Sequence, residues 1–207
     1  YCSASGKDLV LFLGIEPHLR WNSYGNAIVE VIRRWGVSRV VTLGGTYDAV
    51  PHSVEPVVTV SSSDPELREK AKDSLLQASN YEAPTSIHSV LLYRCQQMSI
   101  PCASLWGHAP HYLQVTPNTK VAYGVLKKLT ELLGLGVPLE QLKAAGASME
   151  EQVNQVIASD PNLQGYVRQV EERYRESHQP PTERLNPEQL IKDLENFLKE
   201  QGKKDGG

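Results

Sequence analysis

Along the first part of the chain, short unbroken apolar runs alternate with stretches whose apolar positions recur at helical spacing. Leu9-Val10-Leu11-Phe12-Leu13-Gly14-Ile15 is one such run, bounded by Pro17, and it predicts a strand buried on both faces. From about Asn22 to Trp35 the residues Ala27, Ile28, Val31, Ile32 and Trp35 define one helical stripe, and Gly36 ends it. Arg39-Val40-Val41-Thr42-Leu43 predicts a second strand ending at Gly44-Gly45. Strand, helix and strand in this order predict a βαβ unit with a parallel pair and a right-handed crossover.

The alternation continues. Val57-Val58-Thr59-Val60 predicts a third strand, and Asp64-Pro65 the capped start of a helix. Pro84-Thr85-Ser86 opens another helix, with Ile87, Val90, Leu91 and Met98 facing inward. Ile100 to Trp106 predicts a fourth strand. Pro117 leads into an amphipathic helix carrying Val121, Val125, Leu129, Leu132 and Leu133, which Gly134 stops. The expected fold class is therefore α/β, with a mostly parallel or mixed central sheet flanked by helices.

After Gly136 no strand-like run remains, which predicts a helical C-terminal extension. Pro138 to Ala145 reads as a short helix. Ser148-Met149-Glu150-Glu151 has capping-box spacing and predicts a new helix start, with Val153, Val156 and Ile157 inward. Asp160-Pro161 starts another helix, bearing Leu163, Tyr166, Val167, Val170 and Tyr174. Pro180-Pro181 marks a linker, and Asn186-Pro187 the cap of a last helix. The expected domains are 1–147 (α/β), 148–176 (helical extension), 177–185 (linker) and 186–207 (last helix and tail). The helices from Ser148 onward either fold back on the α/β domain or form an arm for another subunit, the last helix being the better arm.

Composition narrows the function classes. At 207 residues the chain can bury a core without disulfides or metals. A net charge of −3 offers no basic surplus for phosphates, so no nucleic-acid partner is expected. The apolar runs are too short to span a bilayer, so no membrane partner is expected either. Cys2, Cys95 and Cys102 form neither a disulfide framework nor a zinc motif, which suits a reducing cytoplasm. The chain starts at Tyr1, with no initiator Met and no signal-peptide pattern, and a strand follows within a few residues. An upstream piece of the domain is expected to be missing.

Three segments should meet on the rim beyond the strand ends, where open α/β sheets bind ligands. The first holds Glu16, His18, Arg20 and Trp21. The second runs Gly44-Gly45-Thr46-Tyr47-Asp48-Ala49-Val50-Pro51-His52, and the third Gly107-His108-Ala109-Pro110-His111-Tyr112. Gly44-Gly45 lacks the spacing of a phosphate loop and reads as a tight turn or a close backbone approach. His108 and His111, with Asp48 and His52, carry metal-ligand chemistry but not the spacing of a ligand set, so no metal and no cofactor is expected. No G-x-S-x-G elbow occurs, and Cys95 and Cys102 lie within predicted packed elements. The rim is rich in Trp21, Tyr47, Trp106, His108, His111 and Tyr112, side chains that suit a protein interface. No catalytic residue is assigned.

The same segments carry a family likeness. Leu43-Gly44-Gly45-Thr46-Tyr47-Asp48-Ala49-Val50-Pro51-His52, Asn80-Tyr81-Glu82-Ala83-Pro84-Thr85-Ser86-Ile87 and the run Ile100 to Tyr112 resemble, in order and spacing, the second family of proteasome assembly chaperones. Pro117-Asn118-Thr119 and Leu132-Leu133-Gly134-Leu135 continue the match, which spans roughly Asp8 to Ala158. The resemblance implies a fold similar to purine nucleoside phosphorylases and assembly into homo-oligomers. It implies a non-catalytic chaperone or adaptor with a protein client or a proteasome-related partner. Proteasome-binding members often end in a hydrophobic-Tyr-X tail. This chain ends Lys203-Lys204-Asp205-Gly206-Gly207, so the resemblance does not extend to docking by that tail. The alternative is a small-molecule binder or enzyme that uses the rim for a nucleoside-like or phosphorylated metabolite.

Overall fold

The computed structural model describes residues 8–73, 77–78 and 86–178. Its described elements follow the order α1 (Trp21–Arg34), β1 (Val40–Asp48), β2 (Val58–Ser62), α2 (Pro65–Asp73), β3 (Gln77–Ala78), α3 (Ile87–Gln97), β4 (Cys102–Pro110), α4 (Thr119–Leu133), α5 (Glu140–Ser159) and α6 (Pro161–His178). The four strands form one mixed sheet in the order β1-β4-β2-β3. β4 runs parallel to β1 and antiparallel to β2, while β3 runs parallel to β2. The fold class expected from the alternating pattern is the one observed.

Strand alternation divides the sheet into two faces. Val58 and Val60 of β2, Ala103 and Leu105 of β4 and Val41 of β1 share one face. α2 and α4 close over it with Leu67, Ala71, Val125 and Leu132, giving the main core. Close approach is built into this layer: a Cβ on Gly107 would meet Val121 Cγ1 at 2.5 Å. The opposite face carries Val40 and Cys102 at one end, packed with Val29 and Cys95 from α1 and α3. Beyond them it turns polar, through Thr42, Ser104, Trp106, Thr59 and His108.

Local signals set the helix ends. Asp64 Oδ1 accepts from Leu67 N at 2.8 Å, as the cap before Pro65 predicts. Asn118 Oδ1 accepts from Val121 N at 3.1 Å, and Gly134 closes α4 with φ 63°, the left-handed stop. Asp160 Oδ1 accepts from Asn162 N at 2.8 Å at the start of α6.

Several expectations are corrected. Leu9–Ile15 forms no ladder, and its side chains face outward, Leu11 86% and Leu13 98% exposed. The parallel partner of β1 is instead β4. The buried side of α1 is Gly25, Val29 and Ile32, so the expected stripe is rotated and Trp35 is 66% exposed. Met98, the C-cap of α3, and Val156 of α5 are exposed too. Glu140 to Ser159 is one helix, so Ser148 is an interior residue and the boundary after 147 falls inside α5. The same stretch packs closely on α4. Gly146 lies against Lys120, where a Cβ would sit 3.0 Å from the Lys120 Cα. Ser177 and His178, expected in the linker, end α6; the rest of that linker and the last helix lie outside the described residues.

Candidate functional site

β1 and β4 run past their expected ends, and this builds the site. Gly44 and Gly45 are not a loop; they pair with Trp106 and Gly107 inside the parallel ladder. Neither glycine needs a positive φ. Gly44 is required by its neighbour: a Cβ there would meet the Trp106 ring at 2.8 Å. The ladder continues to Thr46↔His108 and Asp48↔Pro110, so the expected loop residues His108 and Pro110 stand on a strand.

Asp48, His108, His111, Tyr112 and His52 come together at this end. His108 Nδ1–H donates to Asp48 Oδ2 at 2.7 Å, and its Nε2 is 3.0 Å from Thr59 Oγ1, which donates to it. The carboxylate fixes this tautomer, because it can only accept. Asp48 Oδ1 accepts from Ala49 N at 2.7 Å. His111 donates to the Asp48 carbonyl from both its backbone N and its Nδ1, each at 3.0 Å. Its Nε2 therefore accepts from the Tyr166 hydroxyl of α6, at 2.5 Å.

His52 is the buried member of the group, 6% exposed. Its backbone N donates to the Tyr112 hydroxyl at 2.9 Å, and that hydroxyl lies 2.7 Å from Nδ1. A hydroxyl accepting from the backbone has its own proton free for Nδ1, which leaves Nε2–H to donate to Asn154 Oδ1 of α5 at 2.9 Å. Burial pushes the Tyr112 phenol above its ordinary pKa; nearby Glu171 and Tyr166 add to the rise, while the His52 backbone bond opposes it. The Lys120 ammonium of α4 donates to the His52 carbonyl at 2.5 Å and pairs with Glu150 of α5 at 2.9 Å. Ser53 Oγ donates to Glu171 Oε1 of α6 at 2.6 Å. The rim is thus laced to α5 and α6 by polar bonds and by edge-on Tyr112–Tyr166 and His111–Tyr166 rings.

The other candidates lie apart from this cluster. Glu16 Oε2 accepts from Ile87 N at 3.2 Å, capping α3. Arg20 is the exposed residue before α1, with φ 57°, and the half-buried Trp21 donates its indole N–H to the Pro17 carbonyl. Gly45 and Tyr47 alternate onto the opposite face of the sheet and are exposed. Trp106 donates to Ser104 Oγ at 3.0 Å, the same oxygen that accepts from Thr42 at 2.8 Å, and its ring lies 4.8 Å from that of His88. Burial lowers the His88 pKa, against a smaller opposing pull from Glu16. Cys95 and Cys102 are buried; mutual hydrogen bonding first, then burial, pushes the Cys102 thiol up.

Sequence reasoning missed Thr59, Asn154, Lys120 and Glu150 and treated Tyr166 only as stripe packing. For Thr59 a signal existed: it is the polar alternate of an apolar strand. Among the described residues, no three His, Cys, Asp or Glu side chains gather as a metal-binding group. No helix there is long and apolar enough to cross a membrane.

A family model described as the PAC2 family matches residues 1–157. The chain belongs to the PAC2 family. It is similar to a solved PAC2 family protein from Streptomyces avermitilis, at 34% identity and TM-score 0.63, covering 69% of this chain and 59% of that one. A proteasome-assembly chaperone homologue from Mycobacterium tuberculosis matches at 31% identity and TM-score 0.65, covering 74% and 64%. PbaA of Pyrococcus furiosus, an archaeal homologue of proteasome-assembly chaperone, shares the fold at 21% identity and TM-score 0.54, covering 70% and 63%. The chain thus spans about three-fifths of the length of these three proteins. No curated protein matches.

Proposed function

We propose that this PAC2 chain is a protein-binding subunit, a homo-oligomeric chaperone or adaptor in the cytoplasm with a proteasome-related partner, whose role needs no catalysis. The observation that carries this reading is family membership over residues 1–157, with a 31% identical relative that is a proteasome-assembly chaperone homologue. Exposed apolar groups support it: Leu43 and Tyr47 on β1, and the run Leu9–Ile15, offer area that a protein partner would bury. We assign α5 and α6 to a helical extension of the α/β domain, bonded to the rim through Glu150, Asn154, Tyr166 and Glu171. Sedimentation velocity and binding to purified proteasome core particles test the reading. Self-association with saturable binding supports it; a monomer that binds no core particle overturns it.

A second reading, a small-molecule or enzymatic site at the rim, is favoured by one observation, the bonding of His108 to both Asp48 and Thr59. A thermal-shift panel of nucleosides, nucleotides, phosphate and divalent metals tests it. A ligand that binds only the folded state at a hundredfold excess over its Kd adds about 2.7 kcal/mol of stability. A saturable rise in melting temperature supports a ligand site, and a flat panel counts against one.

A further inference from the structure

We propose that Thr59, His108 and Asp48 act as a hydroxyl-activating relay that cleaves small uncharged acyl esters; the proposal rests on the second reading above. The order of groups is that of a nucleophile, a base and an orienting acid. Thr59 Oγ1 is 3.0 Å from His108 Nε2, and His108 Nδ1 is 2.7 Å from Asp48 Oδ2. Each residue stands on a different strand, β2, β4 and β1, and ladder pairing holds the three in register. Thr59 is β-branched and stiff at χ1, which keeps its hydroxyl directed. The Asp48 carboxylate is anchored a second time, by Ala49 N.

Burial is graded along the relay. The Asp48 side chain is 48% exposed and that of His108 13%, while Thr59 is half-buried. A base mostly withdrawn from water beside a partly open hydroxyl suits attack on a bound carbonyl. Trp106 lies opposite Thr59 in the β2–β4 register and on the same face, its indole leaning over Gly44 and against the His88 ring. β1, β2 and β4 contain no lysine or arginine, so a neutral ester suits this face better than a phosphate does.

In the reaction, Thr59 Oγ1 bonds to the ester carbonyl carbon and its proton passes to His108 Nε2, where Asp48 stabilises the imidazolium. Collapse breaks the bond to the alcohol, which leaves with that proton. Water then attacks the acyl-threonine. Its proton passes through Nε2 to Thr59 Oγ1 as the carboxylic acid departs.

The test uses the full chain with p-nitrophenyl acetate, followed by nitrophenolate release and by peptide mapping of the acetyl adduct. The expected result is an adduct on Thr59 and release that falls about 100-fold in Thr59→Val and His108→Gln, a general-base-sized loss. Thr59→Ser, which keeps the hydroxyl, should retain the adduct, and this holds the test open if Thr59→Val fails to fold. Release no faster than buffer, release unchanged in Thr59→Val, or an adduct only on lysine, histidine or tyrosine would overturn the relay. A metabolite that shifts the melting temperature without any ester turnover would leave the second reading standing and remove this proposal alone.

Discussion

The two faces of the sheet solve different problems with neighbouring residues of the same strands. Leu105 points into the apolar layer under α2 and α4 and is fully buried. Ser104, one residue earlier, points the other way and is nearly as buried, yet it serves as the common acceptor for Thr42 and Trp106. The apolar layer gains stability from area removed from water, roughly in proportion to that area. The polar face gains little net stability from each bond, because every bond replaces one to water. What the polar face gains is placement: side chains held in one orientation by their partners.

That comparison breaks most sharply at adjacent positions. Leu105→Ala should cost about 2–5 kcal/mol, lost transfer energy plus a cavity, read by urea denaturation. If it cost under about 1 kcal/mol, the layer beneath α4 would not be the main core. Gly107→Ala, which drives a methyl into Val121 and Val125, should cost about 1–3 kcal/mol in the same measurement. Ser104→Ala should cost about 1 kcal/mol, since it strands two donors without opening a large void. A loss as large as that of Leu105→Ala would erase the distinction between the faces. Smaller still is a pH effect at the rim. The folded Tyr112 pKa is raised from 10.0, so its contribution is full below pH 10 and is lost as pH rises through the folded value. Stability should fall above pH 10, and less steeply in Tyr112→Phe.

Some of this architecture was legible from local chemistry. α4 was readable at its C-terminal end because Gly134 acts within one turn of the backbone it caps, whereas its start was read from Pro117 and the cap itself is Asn118. Asp64 and Asp160 made the starts of α2 and α6 readable. α5 was misread because Ser148 has the spacing of a cap; a capping side chain works only where the helix actually begins, and α5 begins at Glu140. The rim was half legible. Asp48, His52, His108, His111 and Tyr112 do converge, whereas Glu16 and Trp21 bond elsewhere and Tyr47 faces the other side. At Gly44-Gly45 the turn half of the reading failed, since both glycines lie in the ladder, while the close-approach half fits Gly44, where a neighbouring indole across the ladder leaves no room for a side chain.

By itself, the sequence determined the α/β class, the capped starts of α2 and α6 and the positions of β1, β2 and β4, because these depend on periodicity and on contacts within a few residues. The tertiary structure decided the mixed strand order, the extension of β1 and β4 into the rim, and the partners Thr59, Asn154 and Tyr166. Those depend on which strand lies beside which, and a one-residue change of register would turn each side chain to the other face.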